Sequence, residues 1–128
     1  MADYTVKRFD EMDTRLGGAF KLARHSLGAS SFGLQVVDLP HGAGEHYPNH
    51  DHAHDGQEEV YVVIGGGGTM EIGDEQIALE PEMAVRVGPT TKRHLTPGEN
   101  GLRLVIVGGV PEQPYTAPEF SKPRPPDA

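Results

Sequence analysis

Apolar residues fall in short runs along the whole chain, and turn-forming residues separate these runs. The clearest turn is Gly73-Asp74, which has the composition of a two-residue hairpin loop between apolar runs. Strands are predicted at residues 4–9, 20–27, 32–39, 59–64, 69–72, 76–79, 83–87 and 102–107, with turns at 65–68 and 97–98 among others. A short helical turn is predicted at 10–15. Many short strands with turns between them predict an all-β sandwich or barrel.

Two of the predicted strands contain runs that are apolar on both faces, at 60–64 and 104–107. A strand with two apolar faces must be covered on its outer side by a second sheet or another subunit. We therefore expect a two-sheet barrel that forms a homodimer. Residues 1–110 are predicted to hold this single domain, and the segment 111–128, with six prolines, is predicted to be an extended tail whose first part lies against the barrel.

The composition excludes several kinds of site and partner. The chain has no cysteine, so a metal would take nitrogen and oxygen ligands. The net charge of −8 and the scattered lysines and arginines argue against nucleic acid as a partner. The longest apolar run, at 60–64, is too short to cross a membrane, and the first residues lack a signal-peptide pattern. We expect a cytoplasmic protein.

Histidines and carboxylates cluster between the third and fourth predicted strands. Alternate residues of an extended segment share a face about 7 Å apart, so His52 and His54 can reach one ion. Glu58 or Glu59 begins the next strand and supplies a carboxylate, and His94 is the histidine available downstream. Three imidazoles and a carboxylate predict one divalent transition metal (Fe, Mn, Ni, Zn or Cu) with open coordination positions.

Some alternatives stay open at this stage. In a strand, Glu58 would lie on the same face as Val60, and Glu59 on the same face as Tyr61. We choose Glu59 as the ligand. His50 and His52 have the same spacing as the chosen pair but lie further from the glutamate, so we interpret His50, like His46, as part of a solvated loop. The remaining histidines, at 25 and 41, are interpreted as surface or packing residues.

At these residues the sequence resembles the cupin superfamily. The first cupin motif is matched by His52-x-His54, four residues, Glu59, six residues and Gly66. The second motif keeps Pro89 and His94, with threonine where its glycine is expected. The resemblance covers residues 34–107. It implies a double-stranded β-helix (jelly-roll) barrel of the small single-domain type, with His52, His54, Glu59 and His94 as metal ligands.

Two functions follow as hypotheses. One is a metal-dependent enzyme (dioxygenase, isomerase or lyase) acting on a small organic acid or phenol, with Tyr61, Arg86 and Arg103 as candidate substrate ligands and Tyr47 and Tyr115 as weaker ones. The other is a non-catalytic module that binds or senses a small molecule, with or without metal. Because cupins host many reactions, the fold does not choose between them.

Overall fold

The computed structural model describes residues 2–43 and 48–123, and most of its regular structure is β-strand. Seven strands form one antiparallel sheet: β1 Thr14–Arg15, β2 Phe20–Lys21, β3 Gly33–Leu39, β4 Glu58–Ile72, β5 Glu75–Leu79, β6 Ala84–Val87 and β7 Arg93–Gly109. A short helix, α1 (Ala23–Leu27), and several 3-10 turns connect them. No helix in the described ranges has the length and apolar character needed to span a membrane. The all-β prediction is confirmed.

Two long strands, β4 and β7, organise the sheet. They pair along nearly their whole length, from Glu58 opposite Gly109 to Ile72 opposite Arg93. The first half of β4 also pairs with β6 and its second half with β5, while the second half of β7 pairs with β3. The order is therefore β1-β2-β3-β7-β4-β5, with β6 on β4.

Glycines in the middle of β4 allow the two long strands to bend. The register with β7 shifts between Val63 and Gly65 and again between Gly66 and Gly68. Gly66 has φ +67°, and a Cβ atom there would overlap the carbonyl oxygen of Gly101. A side chain cannot be accommodated at this close backbone approach, so the bulged ladder depends on glycine.

One hydrophobic core joins the two halves of the bent sheet. Val37 and Ile106 come from the half that contains β3, and Met70 and Leu95 from the half that contains β5. All four are almost inaccessible to solvent. The halves therefore pack over a shared interior. In the described part of the chain the ladder does not return to its first strand, so the pairing does not close the predicted barrel.

Several local predictions were wrong. Residues 4–9 form no strand, and 20–27 contain a two-residue strand followed by α1. Good helix formers in α1 explain the change, and Gly28 ends the helix in the left-handed conformation with φ 76°. The predicted helical turn at 10–15 is reduced to a 3-10 turn at Phe9–Glu11. The predicted turns at 65–68 and 97–98 lie inside β4 and β7.

Candidate metal centre

His50 is fixed beside the first residue of β7. Its N–H donates to the carbonyl oxygen of Arg93 over 3.0 Å, and the Arg93 N–H donates to the carbonyl oxygen of His50 over 2.8 Å. The ring Nδ1 lies 3.1 Å from the carbonyl oxygen of Pro48. Because a carbonyl oxygen only accepts, this contact places the proton on Nδ1 and the lone pair on Nε2.

His52 lies two residues further along the same extended segment, with its ring centroid 5.1 Å from that of His50. Its Nδ1 donates to the Asp55 carboxylate, whose oxygens are 3.0 and 3.2 Å away. Asp55 in turn accepts hydrogen bonds from the backbone N–H and side-chain amide of Gln57. A carboxylate on Nδ1 fixes the tautomer and strengthens Nε2 as an electron-pair donor, an arrangement typical of metal-binding histidines.

Glu59, the second residue of β4, completes the cluster. Its Oε1 lies 3.2 Å from Nε2 of His52 and accepts a hydrogen bond of 2.8 Å from the Tyr61 hydroxyl. One potential ligand atom from each of His50, His52 and Glu59 falls within 4.8 Å of the other two. Since alternate residues of a strand share a face, Tyr61 is placed to orient the carboxylate.

The electrostatic surroundings differ for each member of the cluster. Burial on its own lowers the pKa of His52, but the carboxylates of Glu59 and Asp55 outweigh it and raise that pKa above its ordinary value. Burial opposes ionisation of Glu59, yet His52 and the charge of Arg93 hold its pKa below the ordinary value. At His50 burial dominates and lowers the pKa. The cluster therefore contains an ionised carboxylate, a readily protonated imidazole and a neutral one.

His54 lies in a turn rather than in a strand. The N–H groups of Asp55 and Gly56 both donate to the carbonyl oxygen of His52, over 3.2 and 2.7 Å. This turn ends the extended segment, yet the His54 ring stacks on that of His52 with centroids 5.9 Å apart, and both line the same cavity. Its side chain is 73% exposed, and its Nε2 lies 3.5 Å from Asp55. His54 belongs to a second group of convergent ligand atoms, with His52 and Asp55.

His94 lies on β7, and its Nδ1 donates to Glu71 over 3.2 Å. Alternation along β7 turns Arg93 and Leu95 towards the core and His94 towards the opposite face. His94 is in neither of the two groups of convergent ligand atoms found among the described residues. The structure thus brings His52 together with Glu59 and does not bring His94 to them.

Arg93, which the sequence analysis did not identify, is completely buried at 0% exposure. Its Nη2 donates to the carbonyl oxygen of Gly88 over 3.0 Å. Its Nε and Nη1 have no hydrogen-bond partner among the described residues. A guanidinium stays charged when buried, so Arg93 adds a permanent positive charge close to His50 and Glu59.

The two arginines predicted as substrate ligands form ion pairs at the surface. The Nε of Arg86 lies 2.7 Å from Glu58, which places Glu58 away from the histidines. The Nε of Arg103 lies 2.8 Å from Asp38, and its guanidinium stacks on Phe9. Neither arginine lines the cavity beside the cluster, as far as the described residues define it.

The predicted tyrosines and the remaining histidines have separate places. Tyr61 is fully buried in the core and reaches the cluster through its hydroxyl. Tyr115 lines the adjacent cavity. His25 pairs with a surface aspartate and His41 with a backbone carbonyl. His46 and Tyr47 lie outside the described residues.

A cavity of about 220 Å³ opens beside the cluster. Its polar lining includes His50, His52, Glu59 and Gln57, and its apolar lining comes from β2, β3, β7 and the C-terminal segment. An apolar cavity of about 150 Å³ accommodates benzene. The space therefore suits a molecule with one ring or a comparable apolar body.

A divalent transition metal fits the cluster. The Nε2 of His52 is buried and has no aligned hydrogen-bond partner among the described residues, although Glu59 Oε1 is 3.2 Å away. With Nδ1 donating to Asp55, Nε2 faces the Glu59 carboxylate, and this position holds a proton when His52 is charged or a metal ion in its place. Two imidazoles and one carboxylate form a donor set that transition metals prefer.

No family model matches the sequence, and no curated protein matches it. Solved structures do match the fold. A cupin protein from Bacteroides fragilis superposes with a TM-score of 0.68 at 23% identity, covering 91% of this chain and 93% of its own. The chain has the cupin fold.

Two further matches are enzymes of greater length. A DMSP lyase from Ruegeria pomeroyi has a TM-score of 0.54 at 21% identity, covering 66% of this chain and 42% of its own. A structure described as FeII HppE has a TM-score of 0.52 at 19% identity, covering 61% and 42%. At these identities the similarity concerns the fold, because sites differ widely within one fold.

Proposed function

We propose that this cupin-fold chain binds one divalent transition metal through His50, His52 and Glu59 and acts as a metal-dependent enzyme on a small organic acid or phenol. The observation that supports this most strongly is the tautomer of the two histidines. In both rings Nδ1 donates to an oxygen, so Nε2 is the nitrogen that would bind a metal. Glu59, ionised and oriented by Tyr61, supplies the third ligand.

The number of ligands leaves room for a substrate. Three protein ligands on a five- or six-coordinate ion leave positions that a substrate oxygen can occupy, and a set of two histidines and one carboxylate is used by non-haem iron enzymes. A bound metal would supply Lewis acidity, which polarises a coordinated oxygen and lowers its pKa. The FeII enzyme and the lyase with this fold support such a role without identifying the ion.

The protein's own residues position the reactants. Asp55 holds the His52 ring, and Gln57 holds Asp55 while also lining the cavity. The charge of Arg93 behind the cluster adds to that of the metal, and together they favour an anionic oxygen in the cavity. The apolar walls then select a ligand with an apolar body, and they exclude water from the coordinated group.

The predicted ligands His54 and His94 enter this proposal differently. His54 can join His52 and Asp55 in an alternative arrangement that leaves Glu59 out. His94, paired with Glu71, serves as a control histidine. We propose His50 in place of both.

The test is a metal titration followed by a ligand titration. Co(II) and Zn(II) binding to the wild-type protein and to His52→Ala and His94→Ala variants is measured by calorimetry, and benzoate and phenol are then added to each form. We expect one strong site that His52→Ala removes and His94→Ala retains, and benzoate binding that requires the metal. Equal metal binding by all three proteins would overturn the proposal.

A second candidate function is metal-independent binding of a small anion, and Arg93 supports it. Its guanidinium supplies Glu59 with a counter-charge when no metal is present, and two of its nitrogens, Nε and Nη1, lack protein partners in the described chain. Benzoate affinity that is the same with and without metal would favour this non-catalytic candidate.

We also propose that the bent sheet closes as a jelly-roll barrel and that two copies associate. Val60, Val62 and Ile64 lie on the outer face of β4, and Ile64 is 44% exposed, which leaves apolar surface for a second copy to cover. Light scattering on wild-type protein and an Ile64→Lys variant tests the association: we expect a dimer that the substitution dissociates, and a wild-type monomer would refute it.

A further inference from the structure

The C-terminal segment forms one wall of the cavity beside the cluster. Tyr115, Pro118, Phe120 and Ser121 all line it, together with residues of the sheet. Phe120 also meets Phe20, another lining residue, in an edge-on contact with centroids 5.2 Å apart. The proline-rich segment is thus part of the site.

This wall is held in place by contacts from the N-terminal part of the chain. The Nη1 of Arg15 donates to the carbonyl oxygens of Glu119, Phe120 and Lys122 over 3.4, 3.1 and 2.9 Å. Its guanidinium also lies 5.5 Å from the centre of the Phe120 ring. Three carbonyl contacts to one charged donor fix the backbone on both sides of Phe120.

Tyr115 is seated by the absence of a side chain at Gly33. A Cβ atom there would lie 2.7 Å from the Tyr115 hydroxyl oxygen, closer than Cβ atoms approach other atoms in proteins. Burial raises the pKa of Tyr115, so its hydroxyl is un-ionised at neutral pH. Tyr115 therefore offers the cavity an aromatic surface and a neutral polar group.

We propose that the segment 115–121 is the specificity-determining wall of the site, and that it selects anions with a single small ring by excluding larger ones at Phe120. The inference rests on the proposed function, since it takes the anionic group to be held at His50, His52 and Glu59. Phe120 lines the cavity and is not one of the proposed metal ligands. Its contribution can therefore be separated from that of the metal.

The experiment uses three benzoates of increasing size as probes: benzoate, 4-methylbenzoate and 4-tert-butylbenzoate. Their dissociation constants are measured by calorimetry on the full-length Co(II)-loaded protein and on the metal-free protein. Phe120→Ala enlarges the cavity and Phe120→Trp narrows it. Phe32→Ala is the matched control, because Phe32 is a comparably exposed phenylalanine at 41% that does not line the cavity.

We expect the wild-type protein and Phe32→Ala to bind benzoate best. Phe120→Ala should favour 4-tert-butylbenzoate, changing the ratio of the two affinities by at least about tenfold, since a pocket discriminates by about 10- to 200-fold per methylene. Phe120→Trp should shift the ratio in the opposite direction, and Co(II) affinity should be the same in all four proteins.

Two results would overturn the inference. One is an unchanged order of benzoate affinities in both Phe120 variants while Co(II) still binds. The other is the absence of benzoate binding to the Co(II)-loaded wild-type protein. Loss of Co(II) binding by the wild-type protein would instead refute the proposed function, and the benzoate order in the metal-free protein would then still decide whether the wall selects by size.

Discussion

The Nδ1 atom of His52 and the carboxylate of Asp55 lie 3.0 Å apart, while the opposite ring nitrogen of His52 faces Glu59. One histidine thus connects two carboxylates through its two nitrogens. The Asp55 side is a hydrogen bond and defines the proton position. On the Glu59 side Nε2 faces an anion, so this position favours a positive charge, either the proton of charged His52 or a metal ion.

Substituting Asp55→Asn should weaken metal binding by about 10- to 100-fold, as for other residues that orient a ligating histidine. The amide keeps the shape of the side chain but removes the charge that strengthens His52 as a donor. Calorimetric titration with Zn(II) measures the change. Asp74→Asn, in the exposed β4–β5 turn, is the control, and equal losses in the two variants would show that the effect is not local.

Replacing His50 by alanine should reduce metal affinity by at least about 100-fold, because it removes one of three ligands and not an outer contact. His94→Ala should bind like the wild-type protein, since His94 pairs with Glu71. His54→Ala should show a small effect. If His94→Ala lost metal affinity and His50→Ala kept it, the ligand set implied by the cupin motifs would be right and the set proposed here wrong.

Arg93→Met should raise the affinity for a divalent metal by about fivefold, on the order of 1 kcal/mol, because it removes a positive charge near Glu59. The unfolding free energy of the metal-free protein should fall, because Glu59 loses the buried positive charge that compensates it, and removing one member of a buried charge pair is destabilising. Metal titration and urea unfolding measure the two quantities. Arg86→Met, on the surface, is the control, and a weaker metal affinity in Arg93→Met would contradict the account.

The pKa values of the two neighbouring histidines should differ in opposite directions in the metal-free protein. That of His52 should lie above 6.5, raised by Glu59 and Asp55 against burial, and that of His50 below 6.5, lowered by burial. The stabilisation from His52 is complete below its unfolded pKa and is lost as pH rises through its folded pKa. The contribution of His50 to stability is present above the pKa that His50 has in the unfolded chain. It is lost as the pH falls through the pKa of His50 in the folded protein. NMR titration of both rings measures this, and a single shared pKa would contradict it.

Much of the fold was predictable because alternation and turn residues are local signals. Strands β3, β5 and β6 have bounds within one residue of those predicted. The long strands were underestimated, since Gly65 to Gly68 and Pro97-Gly98 predict turns in isolation. Whether such residues turn or form a bulge depends on the strand opposite them, which a single sequence does not specify.

The candidate site was predictable in part for the same reason. The spacing predicts a site at His52 and Glu59, and the structure brings these two residues together. Strand alternation does not anticipate the turn after His52, which contains His54. The six residues between His52 and Glu59 are more than the cupin motif allows, which argues against His50 in the sequence, but the turn accommodates them in the structure. Nothing in the sequence around Arg93 indicates that it is buried near the cluster. Its position depends on the pairing of Arg93 with His50, which only the structure shows.

The most direct test of the metal centre is an anomalous-scattering map from crystals of the wild-type protein grown with Co(II). We expect one peak per chain, within coordination distance of Nε2 of His50, Nε2 of His52 and the Glu59 carboxylate. A peak between His54 and Asp55, a peak at His94, or no peak at all after metal loading would contradict it.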